Sequence, residues 1–262
     1  MYRVMKGIIF ILAITFTLFG LYKYLESESF VNQPTKGIQF LSARDTAAFL
    51  TADPDFYFAN LTPTDLYARK QKVSSAYKDA AAGSAIDFTE DQKIRFAAAA
   101  RKADEFFAQL FIKGVNCARI VEIPWVFAMT SGKIYEDGLP HTRAGIIFIS
   151  DTIDETPDAL LRVLVHEKVH LYTRLYPQEI SYYLESNGYS KWKLRTGVPR
   201  IRANPDLDAW IYMDSFTGKP MVAYYVSDKP TSIDDIENEN PAGEHPFEIL
   251  AYSIDAKVAS QK

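Results

Sequence analysis

Cysteine is nearly missing from this 262-residue chain, where Cys117 stands alone. An intrachain disulfide is therefore excluded, and no cysteine cluster competes for a metal ion. A lone thiol of this kind is expected to pack as a small buried hydrophobe. Histidine is also scarce, with four residues in all. No dense run of lysine or arginine occurs and the net charge is −4, so a nucleic-acid partner is not indicated. There is no internal repeat and no long low-complexity segment. The sequence carries no signal of oligomeric state.

What is present begins with an apolar run over residues 7–22, broken only by Thr15 and Thr17 and preceded by Arg3 and Lys6. Its length falls between a signal-peptide core and a full membrane span. No A-x-A cleavage site and no lipobox cysteine follow it. Residues 1–25 therefore read as an uncleaved signal anchor, and secretion after signal cleavage is the alternative. The leading basic residues predict a single-pass membrane protein with its N-terminus in the cytoplasm and the remainder outside. Residues 26–41 read as a linker.

Residues 42–114 read as a helical support region. Ser42 and Asp45 resemble a helix start, and that helix runs to about Leu50. Thr62-Pro63-Thr64-Asp65 starts a second helix, expected to run to about Ala82. Thr89, with Gln92 three residues on, opens a third. The pattern then changes. Residues 119–130 are rich in Val, Ile, Trp and Phe and read as a strand, with Pro124 at a bulge or edge. Residues 144–150 form the best strand signal; were that strand at an edge, an extended peptide could pair with it. Thr156-Pro157 starts a helix that Pro177 ends, and a short helix follows over residues 178–187. Residues 191–202 are basic and read as a surface loop. Residues 210–213 and 221–226 read as strands around a turn at Gly218, and residues 228–243 as an acidic loop. The last helix starts near Pro246. The expected class is α+β: a helical N-terminal region, then a small mixed or antiparallel sheet, then two functional helices.

Half of the histidines lie in His166-Glu167-Lys168-Val169-His170. Residues four apart on a helix share a face, so the two imidazoles can hold one metal ion, usually zinc. The glutamate between them is placed to take a proton from a water beside that ion. The bland alternative is a solvated helix patch. Against it, Leu160, Leu161, Val163, Leu164 and Val165 make the preceding turns apolar, as on a buried platform.

A catalytic zinc usually takes a third protein ligand. A third histidine six residues after the second is absent, because Tyr176 stands there. The candidates are Glu179, Glu185, Asp206, Asp208, His245 and Glu248. Glu248 is the best of them. In the last helix Phe247, Leu250, Ile254 and Val258 form a core stripe, and Glu248, Tyr252 and Asp255 form a polar stripe beside it that can face a cleft.

At these two stretches the chain resembles the gluzincin metallopeptidases, in which His-Glu-x-x-His on one helix is followed by a glutamate on a later one. The pieces are His166-Glu167-Lys168-Val169-His170 and His245-Pro246-Phe247-Glu248-Ile249-Leu250-Ala251, and the resemblance spans residues 156–262. Asn204-Pro205-Asp206 also looks like an element of poorly characterised proteins of that type. The Asn-Glu pairing of thermolysin-like members is missing. The resemblance implies a zincin-like domain over residues 42–262, with residues 115–262 carrying the sheet and the metal site. It implies Zn2+ on His166, His170 and Glu248, Glu167 as general base, and a peptide or protein substrate. His245 and Tyr252, together with Tyr224 and Tyr225, are candidates to stabilise the oxyanion. Asp255 is a candidate to orient a ligand histidine. The rival reading is a membrane-tethered binding or structural module whose motif is accidental or holds metal without catalysis.

Overall fold

The computed structural model describes residues 37–259, so the apolar N-terminal run and most of the linker lie outside the described residues. Strand β1 (Ile38–Phe40) leads into helix α1 (Ala43–Ala52). The Ser42 hydroxyl accepts from the Asp45 amide at 3.1 Å to cap that helix, and Asp53 ends it in the left-handed region at φ 48°. The single helix expected from Thr62 is two, α2 (Pro63–Ala68) and α3 (Ser74–Gly83). Thr62 and Asp65 cap the first reciprocally, but Lys70 adopts φ 58° and turns the chain. A left-handed residue cannot continue a right-handed helix. After β2 (Ala85–Ile86) comes α4 (Glu90–Gln109), opened as expected by the Thr89/Gln92 capping box.

The strand expected over residues 119–130 is half helix: α5 (Cys117–Glu122) precedes β3 (Trp125–Thr130). The Asn116 side chain accepts from the Arg119 amide at 3.2 Å and starts that turn. Pro124 disfavours helix at the residue before it, and the chain extends. Strands β4 (His141–Arg143) and β5 (Ile146–Ser150) follow, then α6 (Pro157–Leu175) and α7 (Ser181–Ser186). Strand β6 (Tyr189–Leu194) occupies part of the stretch read as a loop. It pairs antiparallel with β7 (Trp210–Asp214), which pairs in turn with β8 (Lys219–Met221). Strands β9 (Ala223–Tyr225) and β10 (Ile236–Asn238) form a separate antiparallel pair, and α8 (Pro246–Val258) closes the described chain.

The fold is α+β, built on a mixed sheet of order β1-β3-β5-β4, with β2 added on β3. Strands β1, β3 and β5 run parallel, and β4 runs antiparallel at the edge. The strand expected to offer a peptide-binding edge, β5, is therefore interior, flanked by β3 and β4. Successive residues on a strand face opposite sides. Phe127, Met129, Ile147 and Ile149 accordingly join the core with Leu164, Val165 and Val169 of α6 and Leu250 and Ile254 of α8. Ala128 and Phe148 join the opposite core with Leu50, Phe58, Tyr77 and Tyr135. Helix α6 is thus clamped between the sheet and α8, with Glu167, Lys168, Val169 and His170 all buried. Cys117 is buried, as expected. Among the described residues no helix is long and apolar enough to cross a membrane.

Candidate metal centre

On α6 the His166 and His170 rings meet edge to face one turn apart, and their Nε2 atoms are 3.0 Å from each other. Glu248, in the first turn of α8, brings its Oε2 to 3.5 Å from the first and 3.7 Å from the second. Helix packing does this: Phe247, Leu250 and Ile254 seat one stripe of α8 against α6, which turns the neighbouring stripe toward the histidines. The three atoms form a compact group able to hold a metal ion. A circle through three points at those separations has a radius of about 2.0 Å, the length of a zinc bond to imidazole nitrogen or carboxylate oxygen. The donor set therefore fits such an ion in number, chemistry and size.

Two of the three donors, His166 and Glu248, are oriented from behind. The His166 Nδ1 lies 3.0 Å from Asp255 Oδ2, one α8 residue on the same polar stripe as Glu248. An Nδ1–H donated there leaves the Nε2 lone pair facing the site. Arg162 in turn binds the other Asp255 oxygen at 3.1 Å. Asn204 Nδ2 donates to Glu248 Oε1 at 2.8 Å and to Glu244 Oε1 at 2.9 Å. His170 is fully buried, and its Nδ1 has no hydrogen-bond partner among the described residues.

The electrostatics of the metal-free group are those of a cation site. Burial pulls His166 down, but the hydrogen bonds to Asp255 and Glu248 and the charges of Glu167 and Glu248 outweigh it and lift it to about 10. Burial pushes Glu248 up, yet the charge and hydrogen bonds of His170 and His166 hold it well below the usual carboxylate range. Glu167 goes the other way: burial, then the Asp206 charge, raise it well above that range against the pull of His166. Its Oε2 is buried without a partner among the described residues.

The centre opens into a cavity of about 390 Å³ whose walls include His166, Glu167, Glu248, Tyr252 and Asp255, the edge residue His141, and Asn204-Pro205-Asp206. Tyr252 is 62% exposed, with its ring 4.6 Å from that of His166. Burial and then the Glu248 charge raise its phenol to about 12, so it is a donor at neutral pH. His245 lies elsewhere. It is fully buried, its Nδ1 accepts from the Phe247 amide at 3.2 Å, and its Nε2 meets Asp208 at 3.2 Å. It caps α8. Tyr225 is buried on Arg69, and Tyr224 lines a separate groove. Of the other ligand candidates, Glu179 pairs with Arg119, Glu185 is exposed, and Asp208 holds His245.

Asp206 ties its loop to the sheet. Its Oδ1 accepts from the Thr142 amide at 2.6 Å and the Thr142 hydroxyl at 2.8 Å. The outward amide of edge strand β4 is thereby covered. Asn204 was not legible as a partner of Glu248, since no period links residues 44 positions apart. No protein-family model, no curated protein and no solved structure matches this chain. The likeness to gluzincins therefore rests on the site residues alone.

Proposed function

We propose that this protein is a zinc-dependent hydrolase of amide bonds, a metallopeptidase of gluzincin type, with His166, His170 and Glu248 as metal ligands. The observation that carries the reading is the convergence of the three donors beside a buried glutamate whose free oxygen has no partner. A divalent ion on these donors supplies Lewis acidity toward a carbonyl and a water, and positive charge that returns Glu167 toward its carboxylate form. Glu167 takes a proton from the attacking water as its oxygen bonds to the carbonyl carbon. The same carboxyl then delivers that proton to the nitrogen as the C–N bond breaks, leaving a carboxylate and an amine. Tyr252 donates its phenolic hydrogen bond to the oxyanion. Asp255 and Asn204 keep His166 and Glu248 oriented.

We further propose, from Arg3, Lys6 and the apolar run after them, that the chain is tethered to a membrane with this domain outside the cytoplasm. A C-terminal reporter active only outside the cytoplasm tests that, and an inactive reporter counts against it.

The central test is metal content and hydrolysis of a broad peptide library by the purified full-length chain. One zinc per chain, lost in His166→Ala, with hydrolysis reduced about 10²- to 10⁴-fold in Glu167→Gln, supports the reading. Bound zinc without hydrolysis, unchanged in Glu167→Gln, makes the protein a membrane-tethered metal-binding module instead.

A further inference from the structure

The cavity walls hold six carboxylates, from Glu136, Glu167, Asp206, Asp234, Glu248 and Asp255, against a single arginine, Arg202. Most of this charge is already matched. Arg69 binds Glu136 at 2.6 Å, Arg162 and His166 bind Asp255, and Glu244 neutralises Arg202. Asp234 is exposed and 3.9 Å from Arg202. Setting aside the base and the metal ligand, Asp206 remains. It is 8% exposed, and only its Oδ1 accepts hydrogen bonds. Its Oδ2 has no hydrogen bond or ion pair among the described residues. Arg174 lies within electrostatic range but gives its hydrogen bond to the Pro205 carbonyl. That oxygen is not among the fully enclosed unpartnered atoms, so on a residue of the cavity wall it stays reachable by a ligand.

Edge strand β4 points in the same direction. Only Thr142 of its three residues turns its amide outward, and Asp206 occupies that amide. A substrate running through the cleft as an added strand would have to displace the carboxylate. We infer that Asp206 is a subsite for a cationic group of the substrate, a primary ammonium held close to the scissile amide, so that the cleft selects amides bearing such a group over the interior of an extended chain. This rests on the hydrolase reading above and names its substrate class. The ammonium belongs either to the free amino terminus or to a lysine side chain.

Calorimetric binding of three hydroxamates to the zinc-loaded full-length protein tests it. One is leucine hydroxamate, the second its analogue with a methyl group in place of the ammonium, and the third Nα-acetyl-lysine hydroxamate. An ammonium-bearing ligand should bind roughly tenfold or more tighter than the methyl analogue, the worth of one charge-assisted hydrogen bond. Whether the leucine or the acetyl-lysine ligand gains identifies the amino terminus or the side chain. Asp206→Asn, which keeps an oxygen for Thr142, should retain zinc and abolish the difference between the ammonium-bearing ligand and the methyl analogue. Because the Asp206 charge also acts on Glu167, the two ligands are compared within each variant. Asp206→Glu keeps the charge and should retain part of the gain, so the test survives if the asparagine variant does not fold. Equal affinity for all three ligands, or a gain that persists in Asp206→Asn, overturns the subsite while leaving the metal centre standing. Binding of none of the three overturns the hydrolase reading and the subsite with it.

Discussion

Asn204 Nδ2 lies 2.8 Å from Glu248 Oε1, while the other oxygen of the same carboxylate points at the two histidines. One oxygen is thus claimed by an amide, and the second is left for a metal. The asparagine is itself held, because its Oδ1 accepts from the Asp206 amide at 2.9 Å. That short turn joins Glu248 on α8 to Thr142 on β4, the two walls of the cleft.

Asn204→Ala should therefore weaken zinc binding by about 10- to 100-fold, the usual effect of losing a partner behind a metal ligand. The fold should persist, since the residue is only half-buried. Competition with a chromogenic chelator measures the affinity. An unchanged dissociation constant would show that packing of α8 alone orients Glu248.

Two imidazole nitrogens 3.0 Å apart repel if both present lone pairs, so the metal-free site at neutral pH must hold a proton there. His166, raised to about 10 in the metal-free protein, is the group that carries it. Zinc and this proton compete, and affinity should climb as pH rises from about 6 to about 9. Calorimetry in buffers of different ionisation enthalpy should detect at least about one proton released per zinc at pH 7, from His166, and up to about one more as Glu167 ionises. Release of none would mean that the site is already deprotonated.

The legible parts of the site are those that sit on helical periods. His166, Glu167 and His170 share one helix face, and Glu248 and Asp255 share another. The core stripe of Phe247, Leu250 and Ile254 indicated which side of α8 turns inward. Asn204 and Asp206 act across space from an irregular loop, and no local pattern reports that. Among the elements, α5 was hidden by its Ile and Val, which favour strands, and formed because Asn116 caps it. Strand β6 was hidden by Lys191 and Lys193 on a strand with little burial. Strand β4, at three residues, is too short for alternation to show, yet it forms the cleft edge.

Glu136 is buried under Arg69, which donates to its oxygens at 2.9 and 2.6 Å, and under the Tyr77 hydroxyl at 2.7 Å. Burial pushes its carboxyl up, but the Arg69 charge and hydrogen bonds bring it down to about 2. A depressed carboxylate stabilises the fold above its unfolded value, near 4.5, and that contribution is lost as pH falls toward 2. Glu136→Gln removes the nearer of the two buried carboxylates beside Arg69, leaving Asp65 at 3.7 Å, and should cost about 3 kcal/mol, the low end for a broken buried pair. Urea titrations at neutral pH measure the loss, and in the variant the steep part of the acid limb below pH 4.5 should flatten. A variant as stable as the wild type would show that Asp65 alone suffices to pair Arg69.

Lys168 supplies a test of whether the motif helix is a buried platform or a solvated patch. A solvated helix would leave this lysine in water, but it is fully buried, on the side of α6 away from the cleft. Its Nζ donates to the Ile123 carbonyl at 2.5 Å, lies 3.6 Å from Asp104, and sits 3.7 Å from the centre of the Trp125 ring. Burial lowers its pKa from 10.5 to about 7, against the pull of Asp104. Between those values the unfolded chain binds a proton that the folded chain does not, so stability rises with pH across the window. The slope from this one group approaches about 1.4 kcal/mol per pH unit, and it vanishes below pH 7, where both states are protonated. Lys168→Met fills the same space without a charge and should remove that slope. Urea midpoints from about pH 7 to about pH 9 on the metal-free protein provide the comparison. Parallel curves for wild type and variant would mean that Lys168 is hydrated in solution and that the motif helix is more exposed than its packing implies.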